Sequence, residues 1–274
     1  YDAFKFNIGM KGTINLYIES ENNLFFVSHS YPAFYYIYDA NDTSNYLYRF
    51  SEGAYYDSGR GIYFLSENFT LPKGSYYLVA KYYHNGHEGT YNFSLNFKPN
   101  ISKPSNFKVS TRNTTSLKLS WNKVGGVSGY QLQQYKNNKW TTIKNTTSNS
   151  CTVSSLKAGT AYKFRVRAYK IVSGTKYYSS WSATLTTPTK PGTPSIKAPT
   201  TNKKHQIVAK WKKVSSCSGY QVQYSKQSNF SSVIATKTVS GGSKTSYTGN
   251  NFTKGKKYYV RVRSYKTVNG KKYY

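Results

Sequence analysis

The chain has 274 residues, 18% of them aromatic, which excludes a disordered tail because such chains lack the side chains that fill a core. Its length suits two or three domains, and no apolar run approaches the ~20 residues of a membrane-spanning helix, which excludes such a span here. The formal charge is +30, from 39 Lys+Arg against 9 Asp+Glu, a field that draws anionic polymers or anionic surfaces.

The acids are unevenly placed. All nine, Asp2, Glu19, Glu21, Asp39, Asp42, Glu52, Asp57, Glu67 and Glu88, lie in the first hundred residues beside seven bases, so that segment carries −2. Residues 101–274 hold the other 32 bases and no carboxylate. No side-chain ion pair can form within that stretch, and neither a Ser-His-Asp triad nor a paired-carboxylate site can be assembled from it. The charge break coincides with Pro99 and Pro104, and a second proline cluster lies at Pro188, Pro191, Pro194 and Pro199. Such joints act as semi-rigid linkers or start edge strands. They divide the chain into 1–100, 104–188 and 193–274.

The start, Tyr1-Asp2-Ala3-Phe4-Lys5-Phe6, carries no signal peptide, as would a chain that begins after one. Phe4 and Phe6 alternate with polar residues, and Gly12 to Ile18, Ala33 to Tyr38, Leu71 to Ala80 and Gly89 to Leu95 read as strands. No helical period is found anywhere. Tyr31 to Tyr63 holds more aromatic residues than core filling needs. Tyrosine gives large contact area at low entropic cost, so this stretch is a candidate surface for a host protein such as an immunoglobulin or collagen.

Asp39, Asn41 and Asp42 share one polar turn, and Glu19 and Glu21 another. They are the calcium candidates, since calcium takes six to eight oxygens from flexible loops. They lack a recognised ligand spacing and read first as Asn/Asp turns. His84, His87 and Glu88 sit in a Gly-containing loop whose spacing fits no zinc signature. No catalytic residue and no cofactor are expected.

The opening Asp2-Ala3-Phe4-Lys5-Phe6, the strand Gly74-Ser75-Tyr76-Tyr77-Leu78-Val79 and the closing Gly89-Thr90-Tyr91-Asn92-Phe93 give residues 1–100 a resemblance. The segment resembles the pre-peptidase C-terminal domain that follows many secreted bacterial peptidases. That resemblance implies a small jelly-roll-like sandwich, and calcium in some relatives.

The rest of the chain is an internal repeat. Pro104, Trp121, Gly129 and Tyr130 recur ninety positions later as Pro194, Trp211, Gly219 and Tyr220. After a six-residue insertion, Tyr162, Arg165, Val166, Arg167, Tyr169 and Lys170 recur as Tyr258, Arg261, Val262, Arg263, Tyr265 and Lys266. Hairpins follow at Val172-Ser173-Gly174 and Val268-Asn269-Gly270, where both turn residues must tolerate positive φ. With the corner Leu156 to Tyr162, matched by Phe252 to Tyr258, each repeat resembles a fibronectin type III domain. The whole chain is then expected to be all-β, three β-sandwich domains in a row, jelly-roll-like and then two immunoglobulin-like sandwiches. The second copy stops before a counterpart of Ser179 to Leu185, so its last strand is expected to be missing and the natural protein to be longer.

Cys151 and Cys217 fall in different repeats at non-equivalent positions, facing Tyr247 and Val127 in the alignment. They are expected to be buried free thiols. Trp121 and Trp211 are expected in the cores.

Strand alternation places Tyr162, Phe164, Val166 and Ala168 inward and Lys163, Arg165, Arg167 and Tyr169 outward. Gln131 and Gln133 lie outward on the neighbouring strand. The second copy repeats this with Gln221, Gln223, Arg261, Arg263 and Tyr265. Two planar Arg forks with no acid nearby suit the phosphate or sulfate of an anionic glycan, teichoic acid or nucleic acid, while a merely solvated face is the plainer reading. The sequence thus points to a non-enzymatic, exported bacterial surface or secreted protein, extracellular or cell-wall associated, that spaces and adheres. Its partners would be anionic polysaccharide, teichoic acid or host glycoprotein, with no sequence-specific nucleic acid. An accessory region of a secreted peptidase or glycosidase is the alternative.

Overall fold

A computed structural model describes residues 2–20, 26–27, 31–32, 34–50, 55–57, 62–81, 91–201 and 203–274. Among them the chain is all-β, with no helix. Packing divides it into two compact units, one of Tyr1–Lys103, Val124–Gly129 and Ala168–Ser180, the other of Pro104–Lys123, Tyr130–Arg167 and Trp181–Tyr274.

The N-terminal segment contributes β1 (Asp2–Ile8), β2 (Gly12–Ser20), β3 (Phe26–Val27), β4 (Tyr31–Pro32), β5 (Phe34–Asp39), β6 (Asp42–Phe50), β7 (Tyr55–Asp57), β8 (Ile62–Leu71), β9 (Gly74–Lys81) and β10 (Tyr91–Pro99). Two four-stranded sheets result, ordered β1-β9-β5-β6 and β10-β2-β8-β7. Alternation decides the core: Ile14, Leu16 and Ile18 of β2 cluster with Tyr35 and Ile37 of β5 and Tyr76 and Leu78 of β9, all buried. The single strand expected from Leu71 to Ala80 is interrupted. Pro72 has no N–H for a ladder, so β8 ends at Leu71 and β9 starts at Gly74. The Tyr76 hydroxyl donates back to the Pro72 carbonyl at 2.9 Å. A Cβ on Gly74 would lie 2.7 Å from that hydroxyl, so a side chain there would have to displace the buried Tyr76 ring.

The first repeat contributes β11 (Lys108–Arg112), β12 (Leu117–Ser120), β13 (Gly129–Lys136), β14 (Lys139–Thr146), β15 (Ser150–Val153), β16 (Ala161–Val172), β17 (Thr175–Tyr178) and β18 (Leu185–Pro188). Its sheets run β11-β12-β15 and β14-β13-β16-β17, with β18 paired to β16. The second contributes β19 (Ile207–Lys210), β20 (Gly219–Ser225), β21 (Val233–Ser240), β22 (Ser246–Gly249), β23 (Tyr259–Val268) and β24 (Lys271–Tyr273), in sheets β19-β22 and β21-β20-β23-β24. The hairpins form as their residues require. Ser173 and Gly174 have φ of 45° and 81°, and Asn269 and Gly270 have 49° and 74°.

Both cores are centred on the expected tryptophans. Trp121 and Trp211 are each 3% exposed, with ring centroids 5.3 Å from Tyr130 and 5.0 Å from Tyr220. Both corners close alike. The Lys157 N–H donates to the Tyr162 hydroxyl at 2.8 Å, and the Thr253 N–H to the Tyr258 hydroxyl at 3.0 Å.

The joint between the repeats is built into the second unit. Pro188, Thr189 and Pro191 are buried. The Thr189 hydroxyl donates to the Lys157 carbonyl at 2.6 Å, and the Lys190 N–H donates to the Asn113 carbonyl at 3.0 Å. On the other side, the Ser264 hydroxyl donates to the Gly192 carbonyl, and Arg112 stacks 4.4 Å from the Tyr273 ring centre.

Candidate functional site

Register creates the site. Antiparallel pairing of β20 with β23 sets Gln221 opposite Arg263 and Gln223 opposite Arg261. Directly opposed side chains on one sheet face meet. Arg261 and Arg263 donate through Nε to the Oε1 of Gln223 and Gln221 at 2.7 and 2.9 Å. The first repeat builds the same rungs. Arg165 donates through Nε and Nη2 to Gln133 Oε1 at 3.0 and 2.8 Å, and Arg167 through Nε to Gln131 Oε1 at 2.8 Å. The amide oxygens thus do what carboxylates do elsewhere, without neutralising the charge.

Aromatic rings complete each rung. Arg165 lies 4.3 Å from the Trp140 ring centre and 4.1 Å from Trp181, and Arg167 lies 4.4 Å from Trp181. In the second repeat Phe230 takes Arg261 at 4.4 Å and Tyr274 takes Arg263 at 3.8 Å. A guanidinium plane over an aromatic face is attracted by the ring quadrupole. Two serines lay the segment after β17 along β16. Ser182 exchanges a backbone bond to the Val166 carbonyl at 2.8 Å and a hydroxyl bond from the Val166 N–H at 3.1 Å. Ser179 does the same with Ala168, at 3.0 Å for both. Trp181, between the two serines, thereby covers both Arg side chains. Burial lowers the Arg165 pKa from its ordinary value, and the like charge of Arg167 adds to that; it remains a cation.

The fibronectin type III domain family matches residues 102–186 and 190–273. The chain belongs to the fibronectin type III family. Among curated proteins, an alpha-amylase of Niallia circulans is 41% identical over 88 residues, which is 31% of this chain and 6% of the amylase. The chain therefore spans a small part of that relative's length. Among solved structures, a two-domain fibronectin type III segment of chicken tenascin is 23% identical over 61% of this chain and 93% of its own, with a TM-score of 0.38. The fibronectin type III domain of human fibronectin type III domain containing protein 3 is 25% identical over 35% of this chain and 91% of its own, with a TM-score of 0.30.

Two members of the predicted face of the fibronectin type III modules are not on an open surface. Tyr169 and Tyr265 are 9% and 3% exposed, against the outward placement that alternation gives. Alternation names the side of the sheet but not what covers it. The Tyr178 and Tyr274 rings lie over them at 6.1 and 5.9 Å, with Lys176 and Lys272 ammoniums 4.6 and 5.1 Å from the ring centres. Both are thus covered by a ring and a lysine of the following hairpin strand. The sequence reading missed Trp140, Trp181, Phe230 and Tyr274, which come from neighbouring strands and loops with no register visible in the sequence.

Cys151 and Cys217 are free but half-buried, a correction to the buried placement. Cys151 lies on edge strand β15, where burial raises its thiol pKa and the Lys144 charge draws it partly back. In the N-terminal sandwich, Asp39 and Asp42 hold local turns. Asp39 accepts from the Asn41 backbone and side-chain amides at 2.8 and 3.1 Å, and Asp42 accepts from the Ser44 N–H at 3.1 Å and the Ser44 hydroxyl. Those bonds hold Asp42 below its ordinary pKa. Among the described residues no group of three or more His, Cys, Asp or Glu could hold a metal ion. His84, His87, Glu88, Glu21, the Glu19 side chain and much of the Tyr31-to-Tyr63 surface lie outside the described residues. No helix among the described residues is long and apolar enough to cross a membrane.

Proposed function

We propose that this chain is a non-catalytic accessory segment of an exported bacterial protein, whose two basic fibronectin type III modules hold an anionic polymer. One observation carries the reading. Residues 101–274 bear 32 cationic side chains and no carboxylate, and every lysine among them except Lys170 and Lys266 is exposed. A surface without internal counter-charges leaves its cations to an external partner. The partner class is a polymer bearing sulfate, phosphate or carboxylate, such as an anionic polysaccharide or teichoic acid. The ladder of Arg165, Arg167, Arg261 and Arg263 supplies oriented guanidiniums, with the Nε edge held by glutamine and the plane fixed by a ring. Fixed forks lose less entropy on meeting an anion than free ones. The resemblance of residues 1–100 to a pre-peptidase C-terminal domain supports an exported setting.

A second reading is favoured by the alpha-amylase match: the same modules as the accessory part of a secreted glycosidase, with the polymer as substrate or wall. One experiment separates the readings. The full chain is passed over immobilised heparin, teichoic acid, DNA and starch in a salt gradient, beside Arg261→Gln/Arg263→Gln and the four-Arg→Gln variant, each checked for folding by circular dichroism. Retention on the three polyanions and not on starch is expected, with earlier elution for the pair and earliest for the four-fold variant. A folded four-fold variant eluting with wild type would show that the ladder is only a solvated surface. A wild-type chain that no polyanion retains would overturn the reading.

A further inference from the structure

The two repeats differ at one place where the fold gives them the same architecture. In the first, an open groove of about 710 Å³ runs beside edge strands β14 and β15. Cys151, Val153 and Leu156 line it together with Tyr135, Ile143 and Tyr162. In the alignment Cys151 corresponds to Tyr247 and Gln134 to Tyr224. Tyr224 is 1% exposed, and Tyr247 packs against the core of the second repeat. Two tyrosine rings therefore fill in the second repeat the volume that a thiol and an amide leave empty in the first.

A bulge opens the groove further. The β13–β14 register passes from Leu132 opposite Lys144 to Gln133 opposite Thr142, which leaves Ile143 as the extra residue, 37% exposed. Bulges re-aim side chains and end pairing at sheet edges. Lys136, Lys144 and Lys157 also line the groove, and all three are exposed. No carboxylate occurs anywhere in residues 101–274, so nothing within the repeats neutralises them. The groove pairs an apolar and aromatic floor with a cationic rim. That combination suits a chain of sugar rings carrying anionic groups, whose ring faces pack on tyrosine and aliphatic surface while the charges meet ammoniums.

We infer that this groove is a polyanion subsite of the first repeat, taking a segment of anionic polysaccharide on Tyr135, Ile143 and Tyr162 between Lys136, Lys144 and Lys157. It rests on the polyanion reading above and assigns that reading a place. In the second repeat the equivalent place is taken by Tyr224 and Tyr247, so this subsite belongs to the first repeat.

Cys151 makes the subsite observable, because its thiol lines the groove while Cys217 does not. The full chain is treated with iodoacetamide, with and without a saturating heparin hexasaccharide at low salt, and alkylation of each cysteine is followed by peptide mass. The affinity for the same hexasaccharide is measured for wild type, for Lys136→Gln/Lys144→Gln/Lys157→Gln, and for a control triple at the exposed Lys197, Lys210 and Lys212. The expected result is slower alkylation of Cys151 with Cys217 unchanged, and binding weakened about tenfold by the groove triple but much less by the control. Gln134→Tyr, which begins to fill the groove, weakens binding in the same direction. Binding with Cys151 alkylated at its free rate, or equal loss in the two triples, would overturn the subsite and leave polyanion binding standing. Failure of the hexasaccharide to bind the wild-type chain at low salt would overturn both.

Discussion

At Trp181 two guanidiniums share one indole, Arg165 at 4.1 Å and Arg167 at 4.4 Å. Cations side by side on a strand repel one another, so the ring and the two glutamines are what make the pair tolerable. Trp181→Ala removes both stacking contacts and should cost the first repeat about 2 kcal/mol, from two cation–π interactions and part of an indole's burial. Urea unfolding followed by tryptophan fluorescence and circular dichroism reads this directly, and Trp181→Phe should recover much of the loss. An alanine variant that unfolds with wild type would mean the ladder contributes nothing to the fold. The Arg and Gln rungs were legible in the sequence because strand side chains have a period of two and opposed residues must meet. Trp140 and Trp181 were not, because a ring arriving from β14, or from the segment after β17, obeys no period on β16. Tyr169 and Tyr265 were misplaced for the same reason, since the rings that cover them come from the next strand.

Along β20, Tyr224 lies in the second repeat's core with its ring 4.9 Å from Phe252, and burial, with a smaller contribution from Tyr247, pushes its pKa up to about 12. A phenol of the unfolded chain ionises near 10. Unfolding therefore releases this proton more readily, so stability is intact below about pH 10 and falls as the pH climbs from about 10 toward 12. Urea midpoints of the second repeat at a series of alkaline pH values should show that fall, and Tyr224→Phe should flatten it. An unchanged slope in the variant would place the alkaline sensitivity elsewhere, for example at Tyr220, whose pKa burial also raises. At this scale several strands were readable from alternation and both hairpins from their turn residues, while the two corners were implied by the fibronectin type III resemblance. The interruption at Pro72 was missed because the strand-like run on either side of it hid one absent donor. Cys151 was placed too deep because β15 is an edge strand, and alternation does not reveal edges; Cys217 lies in the loop before β20, where no alternation applies.

Across the molecule, the feature the sequence displays most openly is also the one the fold leaves unanswered. Residues 101–274 carry 32 cationic side chains and no carboxylate, and every lysine among them except Lys170 and Lys266 is exposed. The joint at Thr189 and Pro191 is packed and hydrogen-bonded within its unit, so on the proposed reading one polymer would meet two modules joined at short range. Linked sites raise effective concentration, and avidity grows without new contacts. Most of the affinity should then be electrostatic, because screening over a Debye length of about 8 Å at physiological salt weakens exposed pairs first. The most direct measurement is calorimetric titration of the full chain with heparin, and with DNA as a second polyanion, over a series of NaCl concentrations. Log K should fall linearly and steeply with log [NaCl], by roughly 0.7–0.9 for each phosphate contacted on DNA. A flat plot, or no binding at the lowest salt, would contradict the account.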